Sequence, residues 1–177
     1  ADEAAFAQRF DANGTTLGGD FQVNTTAITT KGAPSIVMSE DGRFVIAWEA
    51  YGIDSGGDYG VFAQRYSASD APQNGEFHVN TEVSSHLQST LVSMDSTGKF
   101  VIISNNVSQG HVNTWGFFGQ RYSSDGLLIG GEFQVNTAAS SDRVNASVTM
   151  DNQGDFVVVW SGSGIDDSDG IFCGVHD

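Results

Sequence analysis

The residues best suited to holding a metal ion are aspartates in two glycine-rich segments. Asp54 and Asp58 lie in the first segment, and Asp166, Asp167 and Asp169 lie in the second, which reads SGIDDSDG. Clustered carboxylates in a glycine-rich loop can supply the oxygen ligands that Ca²⁺ prefers. The second segment therefore predicts a calcium site at these three aspartates, with a solvated acidic loop as the alternative, since no complete EF-hand pattern is present.

Three tryptophans are the candidate ligand-binding residues. Trp48 and Trp160 end two similar apolar segments beside the aspartate loops, and Trp115 opens another strand-like segment. Sugars stack on exposed aromatic rings flanked by polar groups, so the three rings predict a glycan site. The alternative for each is a core tryptophan whose indole N–H is hydrogen-bonded.

Gln-Arg pairs at 8–9, 64–65 and 120–121 hold three of the seven basic residues. They can bind an anion or a sugar, or form structural ion pairs with the acids that follow them in sequence. Those acids are Asp20, Glu76 and Glu132. Recurrence in every copy favours the structural role. The four histidines show no zinc-site spacing, and no nucleophile motif is present, so we predict no catalytic residue and no enzyme.

These residues sit in an internal repeat of 56 residues. FAQRF at 6–10 returns as FAQRY at 62–66 and FGQRY at 118–122, and DFQVNT at 20–25 returns as EFHVNT at 76–81 and EFQVNT at 132–137. Each copy reads as four short strands, a to d, with a glycine turn between a and b. The last copy lacks two residues in its b–c loop, because Gly170 follows Gly116 by 54 positions instead of 56.

Strand b indicates how the repeats pack. In RFVIAW at 43–48 and DFVVVW at 155–160, both alternating sets of side chains are apolar, which predicts a strand covered on both faces. Sheets stacked as β-propeller blades cover their central strands in this way. The predicted fold class is therefore all-β, with three four-stranded, β-propeller-like repeats. A threefold β-trefoil or β-prism is the alternative.

The repeat sets the organisation of a single predicted domain, 1–177. Residues 1–25 form strands c and d of a split blade, 33–81 and 89–137 are full blades, and 145–177 form strands a, b and an altered c. The two terminal pieces are complementary, which predicts a homodimer by split-blade closure. The tail FCGVHD at 172–177 has lost the Gln-Arg-Tyr triplet and competes with the first FAQRF for the strand c position.

Composition narrows the class of partner. The formal charge is −15, so we expect no nucleic acid partner and no anionic membrane partner. No apolar run is long enough for a transmembrane helix. Cations, neutral glycans or solubility alone account for such a surface.

The chain resembles a known group of tandem repeats. The pattern "FaqRy…GGeFqVNt…dG.fVvvW" occurs in large secreted or surface proteins of bacteria, often beside adhesin-like or hemolysin-type calcium-binding regions. The match runs from Phe6 to Phe172, and it departs from the pattern at Ser104, where a tryptophan is expected, and in the tail. The resemblance implies an extracellular or cell-surface binding or adhesion module. We expect carbohydrate as its ligand, with a structural self-assembling repeat as the alternative and a glycan-acting hydrolase as a third option.

Overall fold

The structure is a computed structural model that describes residues 4–25, 29–30, 32, 34–51, 59–80, 87–107, 115–136, 145–163 and 169–176. Within these ranges the chain forms fourteen β-strands. The described residues form no helix with the length and apolarity that a membrane crossing requires. The strands are β1 Phe6–Phe10, β2 Thr16–Gln22, β3 Thr29–Thr30, β4 Ser35–Met38, β5 Phe44–Tyr51, β6 Tyr59–Tyr66, β7 Pro72–His78, β8 Leu87–Met94, β9 Phe100–Val107, β10 Trp115–Tyr122, β11 Leu128–Gln134, β12 Ala146–Met150, β13 Phe156–Ser163 and β14 Asp169–His176.

The described strands make four antiparallel sheets, which follow the chain in order. Sheet I is the hairpin β1–β2, and sheet II has the order β3-β5-β6-β7, with β4 also paired to β5. Sheet III has the order β8-β9-β10-β11, and sheet IV has the order β12-β13-β14. Sheet III has the four strands predicted for a full copy, sheet II has the two-residue strand β3 in addition, and the all-β class is confirmed for the described chain.

Neighbouring sheets pack against each other through three apolar clusters. Ala5 and Val23 of sheet I contact the face of sheet II that carries Trp48. Val45 and its neighbours on the other face of sheet II pack against sheet III. The third cluster joins the far face of sheet III to Phe156 and Val158 of sheet IV.

The prediction that strand b is covered on both faces is confirmed for β5. Residues 44–50 of this strand are all buried, with alternate side chains facing sheets I and III. The prediction is wrong for one face of β13, where Val157 is half-buried and Val159 is 37% exposed. In sheet IV only the face towards sheet III belongs to a core cluster.

Strand d begins before the repeated string that lies nearest to it. In the first full copy EFHVNT spans 76–81, but the strand runs over Pro72–His78, and β2 likewise begins at Thr16, before DFQVNT at 20–25. The reason is a tight c–d turn, in which the amide of Ser67 donates to the carbonyl of Ala71. The ladder then resumes at once, with a bulge near Asn74, whose φ is 63°.

The altered tail occupies the strand c position of sheet IV. Trp160 of β13 lies opposite Phe172 of β14, just as Trp48 lies opposite Phe62 in sheet II. This shared register places the missing two residues in the b–c loop, as expected from the spacing of the glycines. His176 consequently takes the ladder position that Tyr66 holds in sheet II.

Candidate functional site

A cavity of about 180 Å³ opens between sheets II and III, at the end where the a–b and c–d turns lie. It is lined by Arg43, Tyr66 and Gln73 from sheet II, and by Met94 and Asp125 from sheet III, among others. An equivalent cavity of about 200 Å³ lies between sheets III and IV. The repeat thus builds the same concave feature at successive junctions.

Arg43 follows the a–b turn of sheet II, and its side chain extends to the neighbouring sheet III. Its Nε donates to Oδ2 of Asp41 at 2.8 Å, and its Nη2 donates to the carbonyl of Thr97 at 3.4 Å. The Ser39 hydroxyl donates to Asp41 at 2.6 Å, and this bond, with that from the Arg43 amide, lowers the pKa of the Asp41 carboxyl. The guanidinium lies over Gly98, where φ is +90° and a Cβ would come within 3.0 Å of Nη2. Gly98 therefore leaves the space that Arg43 occupies.

Arg65 is the second positively charged residue that lines this cavity. Its Nη2 donates to the carbonyl of Ser124 at 2.7 Å, and its Nη1 donates to the carbonyl of Asp125. Burial lowers the pKa of Arg65, the Asp125 carboxylate opposes this shift, and the nearby positive charge of Arg43 adds to it. Two guanidinium groups that repel each other at one rim favour a ligand rich in acceptor oxygens.

The glutamine and the tyrosine of the Gln-Arg-Tyr triplet both make structural contacts. Gln64 Nε2 donates to the carbonyls of Arg65 and Gln73 and so bridges the bulge between strands c and d. Tyr66 stacks on Phe44, with ring centroids 4.7 Å apart and planes within 9°. These contacts agree with the structural role favoured for the triplet.

Arg9 and Arg65 each reach the c–d turn of the next sheet, a contact that the sequence analysis did not predict. Arg9 donates to the carbonyl of Ala68 at 2.8 Å and forms an ion pair with Asp70 at 2.9 Å. Arg65 reaches the corresponding turn of sheet III, 59 residues away. Each of these arginines crosses to the next sheet because its side chain leaves the strand beside the following c–d turn.

The asparagine of the VN motif caps strand c. Asn80 Oδ1 accepts the amide of Val61 at 2.7 Å, and Asn136 accepts the amide of Phe117 at the same distance. Both asparagines are buried. The carbonyl oxygens therefore satisfy amides that would otherwise be buried without an acceptor.

Trp48 and Trp160, two of the sequence-predicted site residues, do not line this cavity. Trp48 is 1% exposed and stacks with Phe62, so it is placed in the core and presents no free face to a sugar. Trp160 is half-buried, and its ring centroid lies 6.1 Å from that of Phe117. Trp115 opens β10, but its side chain is outside the described part of the structure.

The predicted calcium ligands fall largely outside the described residues. Asp166 and Asp167 lie in the range 164–168, which is not described, and Asp169 is described only as the first backbone position of β14. Across the ranges that the structure does describe, no group of three His, Cys, Asp or Glu side chains is arranged to hold a metal ion. The calcium site stays a prediction.

Glu49 is a buried acid on β5. It follows Trp48 in the strand and is therefore further from the cavity than Trp48. Glu49 is 4% exposed, and burial raises its pKa to about 7. Its carboxylate lies close to Gly32, where an added Cβ would be 2.6 Å from Oε2. The protonation of Glu49 is therefore coupled to folding near neutral pH.

The cavity itself was missed by the sequence interpretation. Arg43 and Lys99 hold the same repeat position, and each lines one of the two cavities. Together with Arg65 and Arg121 they are four of the seven basic residues in a chain of charge −15. This concentration of rare basic residues at repeat-equivalent positions was the available signal.

Comparison with known proteins yields partial structural likenesses and no match in sequence. No family model and no curated protein matches the sequence. Among solved structures, the chain is similar to a fucose lectin from Kordia zhangzhouensis in complex with methyl-fucoside, with a TM-score of 0.45 and 9% identity. The alignment covers 80% of this chain and 91% of the lectin. At this level of similarity the ligand is a property of that lectin, and the cavity has to be interpreted from its own residues.

Proposed function

We propose that this chain is a non-enzymatic, extracellular or cell-surface binding module that holds a carbohydrate in the cavity between sheets II and III. The observation that carries the proposal is the convergence of Arg43 and Arg65 on one cavity in a strongly acidic chain. In this proposal the sheets act as propeller-like blades, and the ligand lies between two of them.

The chemistry of the lining favours a saccharide. Arginine presents a planar fork of N–H donors, which suits pairs of sugar hydroxyls or a sugar carboxylate. Met94, which is half-buried, adds apolar surface beside the charged groups, as a small ligand site requires. The net charge of −15 repels polyanions from the protein as a whole. A neutral or singly acidic mono- or oligosaccharide therefore fits both the basic lining of the cavity and the acidic charge of the chain.

The non-enzymatic part of the proposal rests on the same lining. Among the described residues that line this cavity, Asp125 is the one carboxylate, and neither histidine nor cysteine is present. Glycoside hydrolysis by the common mechanisms needs two carboxyl groups facing one bond. The lining therefore offers recognition without the groups for that reaction.

The test is a glycan-array measurement on the intact chain, followed by titration with the best saccharide. Arg43→Gln removes a guanidinium that is 40% exposed, lies over Gly98 and donates one long hydrogen bond to the neighbouring sheet. We expect this variant to fold normally and to lose at least about tenfold in affinity. Lys99→Gln is the matched control, because it changes the same repeat position at the other cavity.

Two results would count against the proposal. The first is an array on which the folded chain retains no glycan. The second is a saccharide that binds Arg43→Gln as tightly as the parent chain while Trp160→Ala loses binding, because that pattern moves the site to the other end of the sheets.

A further inference from the structure

One position of the c–d turn differs between copies in a way that matters for charge. It is occupied by Gly14, Asp70 and Gly126, which are spaced 56 residues apart. The amide of each donates to the carbonyl of the residue three positions earlier, and each has a positive φ, at 79°, 66° and 82°. The backbone is therefore alike in the three turns, but only the turn of sheet II carries a carboxylate at this position.

At the junction of sheets I and II, that carboxylate pairs with an arginine. Arg9 donates to the carbonyl of Ala68 at 2.8 Å and forms an ion pair with Asp70 at 2.9 Å. The Arg9 and Asp70 side chains are 24% and 33% exposed, so the pair is partly shielded from water. The positive charge that crosses this junction thus has its counter-ion within the protein.

The junction of sheets II and III keeps the backbone contact and lacks the counter-ion. Arg65 donates to the carbonyl of Ser124 at 2.7 Å, which is the contact that Arg9 makes with Ala68 one copy earlier. Gly126 stands where the earlier turn has its aspartate. Across the described residues no carboxylate forms an ion pair with Arg65, although that of Asp125 acts on it at longer range. A half-buried guanidinium is therefore left without a paired anion.

A second guanidinium faces the same space. Arg43 and Arg65 both line the cavity of about 180 Å³. Burial lowers the pKa of Arg65, and the positive charge of Arg43 lowers it further. Arg43 bonds through Nε and Nη2, and its Nη1 makes no hydrogen bond within the described chain. One anion held between the two groups would relieve their repulsion and accept the N–H groups that remain.

We propose that the saccharide held between sheets II and III is acidic, and that its carboxylate takes the place at Arg65 that the Asp70 carboxylate holds at Arg9. This inference rests on the proposed function and names the ligand class within it. The carboxylate oxygens accept N–H groups of Arg65 and Arg43, and the sugar ring lies against the rest of the lining, which includes Met94. A single carboxylate fits best, because the net charge of −15 repels more highly charged ligands.

The first test compares matched sugars on the intact chain by isothermal titration calorimetry. The probes are glucuronate and galacturonate, each against its neutral counterpart, glucose or galactose, with acetate as the bare carboxylate. At least one hexuronate should bind about tenfold or more tightly than its neutral counterpart and than acetate. Raising the salt concentration should reduce this preference, because it arises from charge on a partly exposed group.

The second test fills the vacant position from within the protein. Gly126→Asp supplies the carboxylate that Asp70 supplies in the preceding turn. An added Cβ would lie 2.9 Å from Nη1 of Arg65, so the end of that flexible side chain must shift. Gly126→Asn is the matched control, since it adds a side chain of the same size without the charge. Asp70 and Asn74 both hold positive φ in this chain, so we expect both variants to fold, which circular dichroism checks.

Gly126→Asp should lower the affinity for the hexuronate by at least about tenfold more than Gly126→Asn does. The inference is overturned if each neutral sugar binds as tightly as its hexuronate, if acetate binds as tightly as the hexuronates, or if the two variants lose the same affinity. A neutral sugar that binds as tightly as its hexuronate, and whose binding falls in Arg43→Gln, would reject this inference alone and leave the proposed function standing. An intact chain that binds no saccharide would reject both.

Discussion

Replacing Trp48 with alanine should destabilise the protein instead of removing a ligand contact. The side chain is 1% exposed, lies in the cluster between sheets I and II, and stacks on Phe62 at a centroid distance of 6.3 Å. Truncating a buried aromatic side chain of this size costs about 3–5 kcal/mol, because apolar contact is lost and a cavity remains. That is a large part of the ~5–15 kcal/mol by which typical domains are stable.

The assay is urea unfolding followed by circular dichroism. With a slope of roughly 2 kcal/mol per M, the midpoint of Trp48→Ala should fall by roughly 2 M while the slope stays unchanged. Leu128→Ala, at a position 65% exposed, should stay within about 0.5 kcal/mol of the parent chain. A Trp48→Ala protein within about 1 kcal/mol of the parent, at the same slope, would refute the placement of this ring in the core.

Three further predictions follow from single residues. Burial raises the pKa of the Glu49 carboxyl from its ordinary value of 4.5 to about 7, so its contribution to stability is full below pH 4.5 and declines as the pH rises towards 7. Glu49→Gln should flatten the pH dependence of the unfolding free energy by at most about 3 kcal/mol over this window, and an unchanged profile would reject this burial effect. Asn80→Ala should cost about 1–3 kcal/mol in urea unfolding, because it leaves the buried amide of Val61 without an acceptor. Gly98→Ala should lower the melting temperature and also weaken saccharide binding, since it introduces a Cβ at positive φ against the Arg43 guanidinium; binding equal to that of the parent would exclude this coupling.

The repeat could be predicted because the same side chains return in the same register. The FxQR string marks strand c, the FxVN string marks only the end of strand d and the residues after it, and the apolar alternation of strand b indicates burial on both faces. The ladders of sheets II and III confirm this organisation. Short-range patterns were sufficient because each sheet is made from consecutive strands.

The junctions could not be predicted, because their contacts join residues of different copies. Arg65 meets the carbonyl of Ser124, 59 residues later, and Arg43 lies over Gly98. Nothing local to either arginine identifies those partners. The alternation of β5 likewise shows that Trp48 lies on an apolar face, but it does not show whether another sheet covers that face. Sheet I does so, through Ala5 and Val23.

The most direct test of the account is the position of a bound saccharide in a crystal of the intact chain. We predict electron density between sheets II and III, with sugar oxygens accepting hydrogen bonds from Arg43 and an apolar sugar face near Met94. A sugar seated against Trp160 or Trp115, at the other end of the sheets, would contradict the account, because it would assign recognition to the tryptophans instead of the arginine-lined cavity.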